Sequence, residues 1–303
     1  MFRNFNELVG AVKAHPAKRV IAVAGAADRA VIEAALAAKR ENVAEPILIG
    51  ERDEILPLLE SFEIDKNDVR IENASSNEDC ALRAVQLVAS GEATALMKGM
   101  LETRDLLRPV VRKENGLSLG KLMSHVVLFE IPGYHKLIVS TDGGMVLYPT
   151  LEEKAAIIQN AVSALRAIGC VKPAVGVLCG VEKVNPKMRE TVEAAELAAM
   201  NARGEIPDCS VVGPISYDVA MDREIARHKG FDCPYCGNFD ALIVPDLVSG
   251  NILGKSLIVS AKAKMAGIVV GAKAPIVLTS RGSSAEEKFL SIAFAALAAA
   301  GMK

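Results

Sequence analysis

The hydrophobic residues of this chain fall into short apolar runs, separated by longer stretches where apolar and polar positions recur at helical spacing. "RVIAVAGAA" (19–27) is an apolar run typical of a strand buried on both faces. Asp28 follows it directly and is placed to cap an alanine-rich helix that reaches about Arg40. "EPILIG" (45–50), "DVRIEN" (68–73) and "ATALMKG" (93–99) repeat the theme with helical segments between them. That order predicts a largely parallel sheet covered by helices on both faces. The pattern changes at 118–141, where two β-rich runs are joined by Pro132-Gly133-Tyr134, a hairpin signature that brings in antiparallel strands.

Alternation then resumes. Strands are predicted at 172–180, 209–213, 240–246 and 274–280, with helices near 151–168, 186–203, 216–228, 251–266 and 284–300. Pro186 is expected in the first turn of the second of these helices. The last helix is apolar nearly all round, which predicts burial. The expected fold class is α/β, in two lobes of three layers (α/β/α) with a mixed sheet. Residues 1–140 with 283–303 would form one lobe and 141–282 the other, with a cleft between them.

Composition narrows the partners. A formal net charge of −2 argues against a nucleic-acid partner, which calls for a basic face. No apolar run reaches the ~18 residues of a membrane span, and the amphipathic start "MFRNFNELVGAVKAHPAKR" does not resemble a signal sequence, so a cytoplasmic protein is expected. Six cysteines in a chain of this length do not suggest a disulfide framework. Cys233-Pro234-Tyr235-Cys236 has the C-x-x-C spacing of a redox pair or half a zinc site, but further zinc ligands are missing; a loop is the favoured reading and no metal is expected. "VAGAAD" after the first strand lacks G-x-G-x-x-G, which removes the main support for an NAD site. "IVPDLVSGNILGKS" imitates a P-loop, yet only three residues separate Gly250 from Gly254, one too few for the phosphate cradle. Its expected use is to set backbone N–H groups, the Asn251 amide and the Lys255 ammonium at a helix start, where anions are favoured.

Ligands of open α/β sheets bind beyond the carboxyl ends of the strands. Lys98, Thr103, Arg104 and Arg108 follow one strand, and Ser140, Thr141 and Asp142 follow the hairpin. Asp246, Ser249, Asn251 and Lys255 follow another, and "LTSRGSSAEEK" follows the last. In that last stretch Gly282 permits a tight turn, Ser283 or Ser284 can cap the helix, and Glu286 and Glu287 lie in its first turn. Arg281, directly after a buried strand, offers the planar fork that binds phosphate. Hydroxyls, glycines and cations of this kind suit a phosphate beside a polarised carbonyl.

"LMKGML", "RDLLRP", "STDGGMVLYPTLEEKAAI", "VEKVNPKMRETVEA", "GPISYDVA", "ALIVPDLVSGNILGK" and "LTSRGSSAEEK" stand in one order along the chain. Together they resemble the phosphate acetyl/butyryltransferase family, and its butyryl-transferring members most. The resemblance implies an isocitrate/isopropylmalate dehydrogenase-like fold with the active site in the interlobe cleft. It implies butyryl-CoA, or another short acyl-CoA such as acetyl-CoA, reacting with inorganic phosphate to give acyl phosphate and CoA. Coenzyme A would be a substrate, no metal or other cofactor would be needed, and the protein would be a homo-oligomer. The implied catalytic residues are Ser280, Arg281 and Glu287, the last as thiol base with Glu286 as its alternative. Arg108 would hold phosphate, and Lys98, Thr103, Asn251 and Lys255 would serve phosphate or CoA binding. A competing reading is an NAD- and metal-dependent hydroxyacid-phosphate dehydrogenase of similar fold. It would need clustered His or Asp ligands, which the four histidines do not provide.

Overall fold

The computed structural model describes residues 1–301, which divide into two compact units. The first unit comprises Phe5–Lys121 and the chain from Met265 onward; the second comprises Met1–Asn4 and Leu122–Lys264.

After α1 (Phe5–Ala14), the first unit alternates β1 (Val20–Ala24), α2 (Arg29–Arg40), β2 (Glu45–Gly50), α3 (Arg52–Ser61), β3 (Arg70–Asn73), α4 (Asn77–Ala89), β4 (Ala95–Lys98) and α5 (Thr103–Val111). All residues of β1 are buried, as a strand with helices on both faces requires. Asp28 caps α2 by accepting from the Val31 N–H at 2.9 Å, and Ser76 caps α4 through Asp79 N–H at 3.1 Å.

The second unit begins with the hairpin β5 (Ser124–Glu130) and β6 (Ile138–Thr141), antiparallel with Leu128 opposite Val139. It continues through α6 (Leu151–Ala167), β7 (Ala174–Leu178), α7 (Arg189–Ala202), β8 (Ser210–Ile215), α8 (Tyr217–Met221), α9 (Arg223–His228), β9 (Ala241–Ile243) and α10 (Leu247–Val259). Its strands are ordered β5-β6-β9-β7-β8, with every pair after the hairpin parallel.

The chain then supplies β10 (Lys264–Val270), β11 (Ile276–Val277) and α11 (Ala285–Gly301). In the first unit the strand order is β3-β2-β1-β4-β11-β10, and β10 alone runs antiparallel. The apolar α11 is buried along most of its length and packs on α1 and α2. Both units are α/β with a mixed sheet, as the alternation predicts.

Four expectations need correction. The units divide at 121/122 and 264/265 rather than near 140 and 282, because β6 pairs with β9 while β11 pairs with β4. The helix expected at 251–266 runs from Leu247 to Val259, and β10 follows within the span assigned to it. Asp246 and Ser249 form a capping box that starts the helix early, and Lys262 takes a left-handed φ of 57° after it ends. The helix expected at 216–228 is broken at Asp222, whose carboxylate accepts from the N–H groups of Glu224 and Ile225 and starts α9 anew. Finally, α7 begins at Arg189, so Pro186 precedes the helix instead of opening it.

Candidate active site

β4 and β11 lie side by side in parallel register, Leu96 opposite Ile276 and Met97 opposite Val277. Lys98 and the segment Leu278–Ser280 therefore emerge at the same sheet edge. β1 ends there too, and the sheet order reverses between β1 and β4, the kind of switch point at which open α/β sheets bind ligands. The backbone is drawn tight at this edge: Gly99 N–H donates to Ala24 O at 2.8 Å and Met100 N–H to Gly25 O at 2.7 Å. A Cβ at position 99 would lie 2.1 Å from Gly25 O, so only glycine fits.

Three cations converge here. Lys98 is buried, its ammonium donating to the carbonyls of Gly99 at 3.3 Å and Leu101 at 3.2 Å. Burial lowers its pKa most, and the charges of Arg281 and Lys288 lower it further against the pull of Glu102. Arg281 donates to Glu102 at 2.5 Å, with side chains 60% and 67% exposed. An ion pair that open to water contributes less than ~1 kcal/mol, so an incoming anion can displace the Glu102 carboxylate easily. Lys288 is buried and donates to Ser283 O at 2.5 Å.

The turn between β11 and α11 sets the remaining groups. Ser280 is exposed, and its Oγ accepts weakly from Gly282 N–H at 3.4 Å; as acceptor in that bond it keeps its own proton to donate. The Thr279 hydroxyl beside it is buried and finds no hydrogen-bond partner among the described residues. Of the two possible caps, Ser284 takes the role, accepting from Glu287 N–H at 3.1 Å, while the Ser283 hydroxyl donates to the Glu287 carboxylate. Glu286 lines a groove with Asn6, Val9 and Lys13 of α1, so the two neighbouring glutamates occupy different surroundings.

Burial is the main influence on Glu287 and raises its pKa, opposed by the Ser283 bond and the Lys288 charge. A carboxyl whose folded pKa exceeds its unfolded one adds stability at low pH, and that contribution is lost as pH rises through the folded value. Glu287→Gln resembles the protonated form. It is expected to raise Tm above that of the parent at neutral pH, with the gain vanishing below about pH 4. Thermal unfolding across pH tests this, and a gain that is equal at both ends would contradict the assignment.

The other expected site residues stand on α5 and α10. Arg108 lies in α5, exposed, and pairs with Glu78 of α4 at 3.3 Å. Thr103 is the first residue of α5. Asn251 and Lys255 belong to the second unit and sit inside α10 rather than at its start, where Asp246 already occupies the N-terminus. Asn251 donates to Gly143 O at 3.4 Å, and Lys255 is exposed. In that unit the Asp142 carboxylate accepts the N–H groups of His125, Gly144 and Met145 at 3.0, 2.7 and 2.8 Å, which fixes the loop after β6. Gly143 and Gly250 allow this loop to meet α10 backbone to backbone: a Cβ on Gly250 would lie 2.8 Å from the Gly143 Cα. Glu102 and Lys288 were not singled out from the sequence.

Residues 73–296 match a family model described as phosphate acetyl/butaryl transferase. The chain is 43% identical over 299 residues to the phosphate butyryltransferase of Clostridium acetobutylicum, covering 99% of each. It is 42% identical over 277 residues to the phosphate acetyltransferase of Thermotoga maritima, covering 91% of this chain and 94% of the relative. A branched-chain phosphotransacylase from Enterococcus faecalis V583 superposes with a TM-score of 0.84 at 31% identity, covering 93% of this chain and 99% of the other. A 4-hydroxythreonine-4-phosphate dehydrogenase from Klebsiella pneumoniae, at 13% identity and a TM-score of 0.59, shares the fold alone. The expected dehydrogenase-like fold is thus present.

Proposed function

Because the chain belongs to the phosphate acetyl/butaryl transferase family, we propose that it transfers a short acyl group, butyryl foremost, between coenzyme A and inorganic phosphate. The observation that supports a site in the first unit is the gathering of Lys98, Ser280, Arg281 and Glu287 at one sheet edge. Thioesters and acyl phosphates are both activated, so catalysis needs alignment of two reactants and stabilisation of the charge that develops.

In the proposed reaction a phosphate oxygen attacks the thioester carbonyl carbon. The Arg281 guanidinium holds the phosphate in a bidentate fork, exchanging Glu102 for it, and Lys98 adds positive charge behind. The Ser280 hydroxyl donates a hydrogen bond to the oxyanion of the tetrahedral intermediate and keeps its proton. The carbon–sulfur bond then breaks and the CoA thiolate takes a proton from Glu287, whose burial favours the protonated form. In reverse, the same carboxylate accepts the thiol proton before sulfur attacks acyl phosphate. Coenzyme A is a substrate here, and no step calls on a metal.

Butyryl is placed first because phosphate butyryltransferases are similar over the whole chain at 43% and 41% identity. The Thermotoga maritima acetyltransferase at 42% keeps acetyl as the alternative. One methylene in a pocket is worth only ~1–3 kcal/mol, so activity should grade with chain length rather than switch. The test is thiol release from butyryl-, propionyl- and acetyl-CoA with and without phosphate. Phosphate-dependent release, fastest with butyryl-CoA, is expected. Release that ignores phosphate would end the proposal, and acetyl-CoA in first place would reassign the substrate.

A further inference from the structure

The Cys233-Pro234-Tyr235-Cys236 segment takes no part in acyl transfer, yet its geometry has a chemistry of its own. Cys236 N–H donates to Cys233 O at 3.4 Å, closing a four-residue turn with Pro234 at the second position, where its fixed φ suits the turn. The end Cα atoms of such a turn lie within about 7 Å, which overlaps the ~4.4–6.8 Å a disulfide spans. Cys233 is partly exposed and Cys236 is 1% exposed. The surroundings brace the turn: Arg223 donates to Pro234 O at 3.3 Å, the Tyr235 hydroxyl to Ser210 Oγ at 3.1 Å, and Gly237 N–H to Ala220 O at 2.9 Å. Among the described residues no group of three or more His, Cys, Asp or Glu is arranged to hold a metal ion.

We propose that Cys233 and Cys236 form a reversible redox pair, oxidised by a hydroperoxide to an intramolecular disulfide and restored by a dithiol. The Cys233 sulfur attacks the peroxide oxygen and the O–O bond breaks. The departing alkoxide takes the thiol proton and leaves as an alcohol (water, for hydrogen peroxide), so Cys233 becomes a sulfenic acid. The Cys236 sulfur then attacks the Cys233 sulfur, the S–O bond breaks, and hydroxide leaves with the Cys236 proton as water. Two thiols and one hydroperoxide thus give one disulfide, one alcohol and one water. Burial, with Cys233 adding to it, pushes the Cys236 thiol up to about 12. Cys236 is shielded while Cys233 is partly exposed, so the peroxide meets Cys233 first, which orders the two steps.

The test exposes the full chain to hydrogen peroxide, counts thiols after denaturation, and maps the peptide containing 233–236 by mass. The count should fall by two from six, with the loss of two hydrogens confined to that peptide, and dithiothreitol should reverse both changes. Cys236→Ser should lose a single thiol and hold Cys233 as a sulfenic acid captured by dimedone. Cys233→Ser should keep its remaining thiols, because the buried Cys236 is not reached. Retention of all six thiols by the parent, or a loss that maps elsewhere or persists in Cys233→Ser, would overturn the proposal. None of these results depends on the acyltransferase reading.

Discussion

Replacing Arg281 with alanine is expected to lower kcat/KM for acyl transfer by a factor of about 10²–10³, with Ser280→Ala in the same range. The guanidinium is the group at this edge able to grip two phosphate oxygens at once, and the Lys98 ammonium left behind is a point charge already donating to two carbonyls. Arg281→Lys should recover part of the loss, since it returns charge without the fork. The folded state should hardly notice: the Arg281 side chain is 60% exposed and its partner Glu102 is 67% exposed. Surface changes of this sort usually stay within about 0.5 kcal/mol. Unchanged melting beside collapsed turnover would therefore place the loss in the chemistry. Turnover near the parent's in both variants would remove Ser280 and Arg281 from the mechanism.

The residues of that site were legible in unequal measure. Ser280 and Arg281 stood out because a continuous apolar run delivers them to a sheet edge, and Asp28 marked the start of α2 because capping is local chemistry. Glu102 gave no such signal. Its partner Arg281 lies 179 positions away, and a pairing made by sheet topology leaves no periodic trace in sequence. The unit boundaries were obscured for the same reason, since the partner that β6 finds in β9 decides where the hairpin belongs. α10 shows the opposite failure. Its glycine-lysine-serine end drew the eye to a false helix start, while the capping box at Asp246 and Ser249 held the true one. β11, only two residues long, was overestimated because the apolar run continues past the last ladder pair.

Asp240→Ala is expected to destabilise the protein by about 3–5 kcal/mol, a large share of the ~5–15 kcal/mol that holds a typical domain folded. Asp240 and Lys136 are each 8% exposed, and their charged atoms meet at 2.6 Å. The second carboxylate oxygen accepts from Ala174 N–H at 2.8 Å, and the ammonium also donates to Asn238 O at 2.7 Å. Asp240 directly precedes β9, while Lys136 and Ala174 stand at the starts of the chain segments forming β6 and β7. One carboxylate therefore ties three adjacent strands together at their entry. Removing it leaves an ammonium buried with a lone carbonyl and takes the acceptor from an amide. Lys136→Met in the Asp240→Ala background removes the stranded charge, so the double variant should be clearly more stable than the sum of the single losses. Urea midpoints of the four proteins decide the matter; simple additivity would mean that the two groups do not depend on each other.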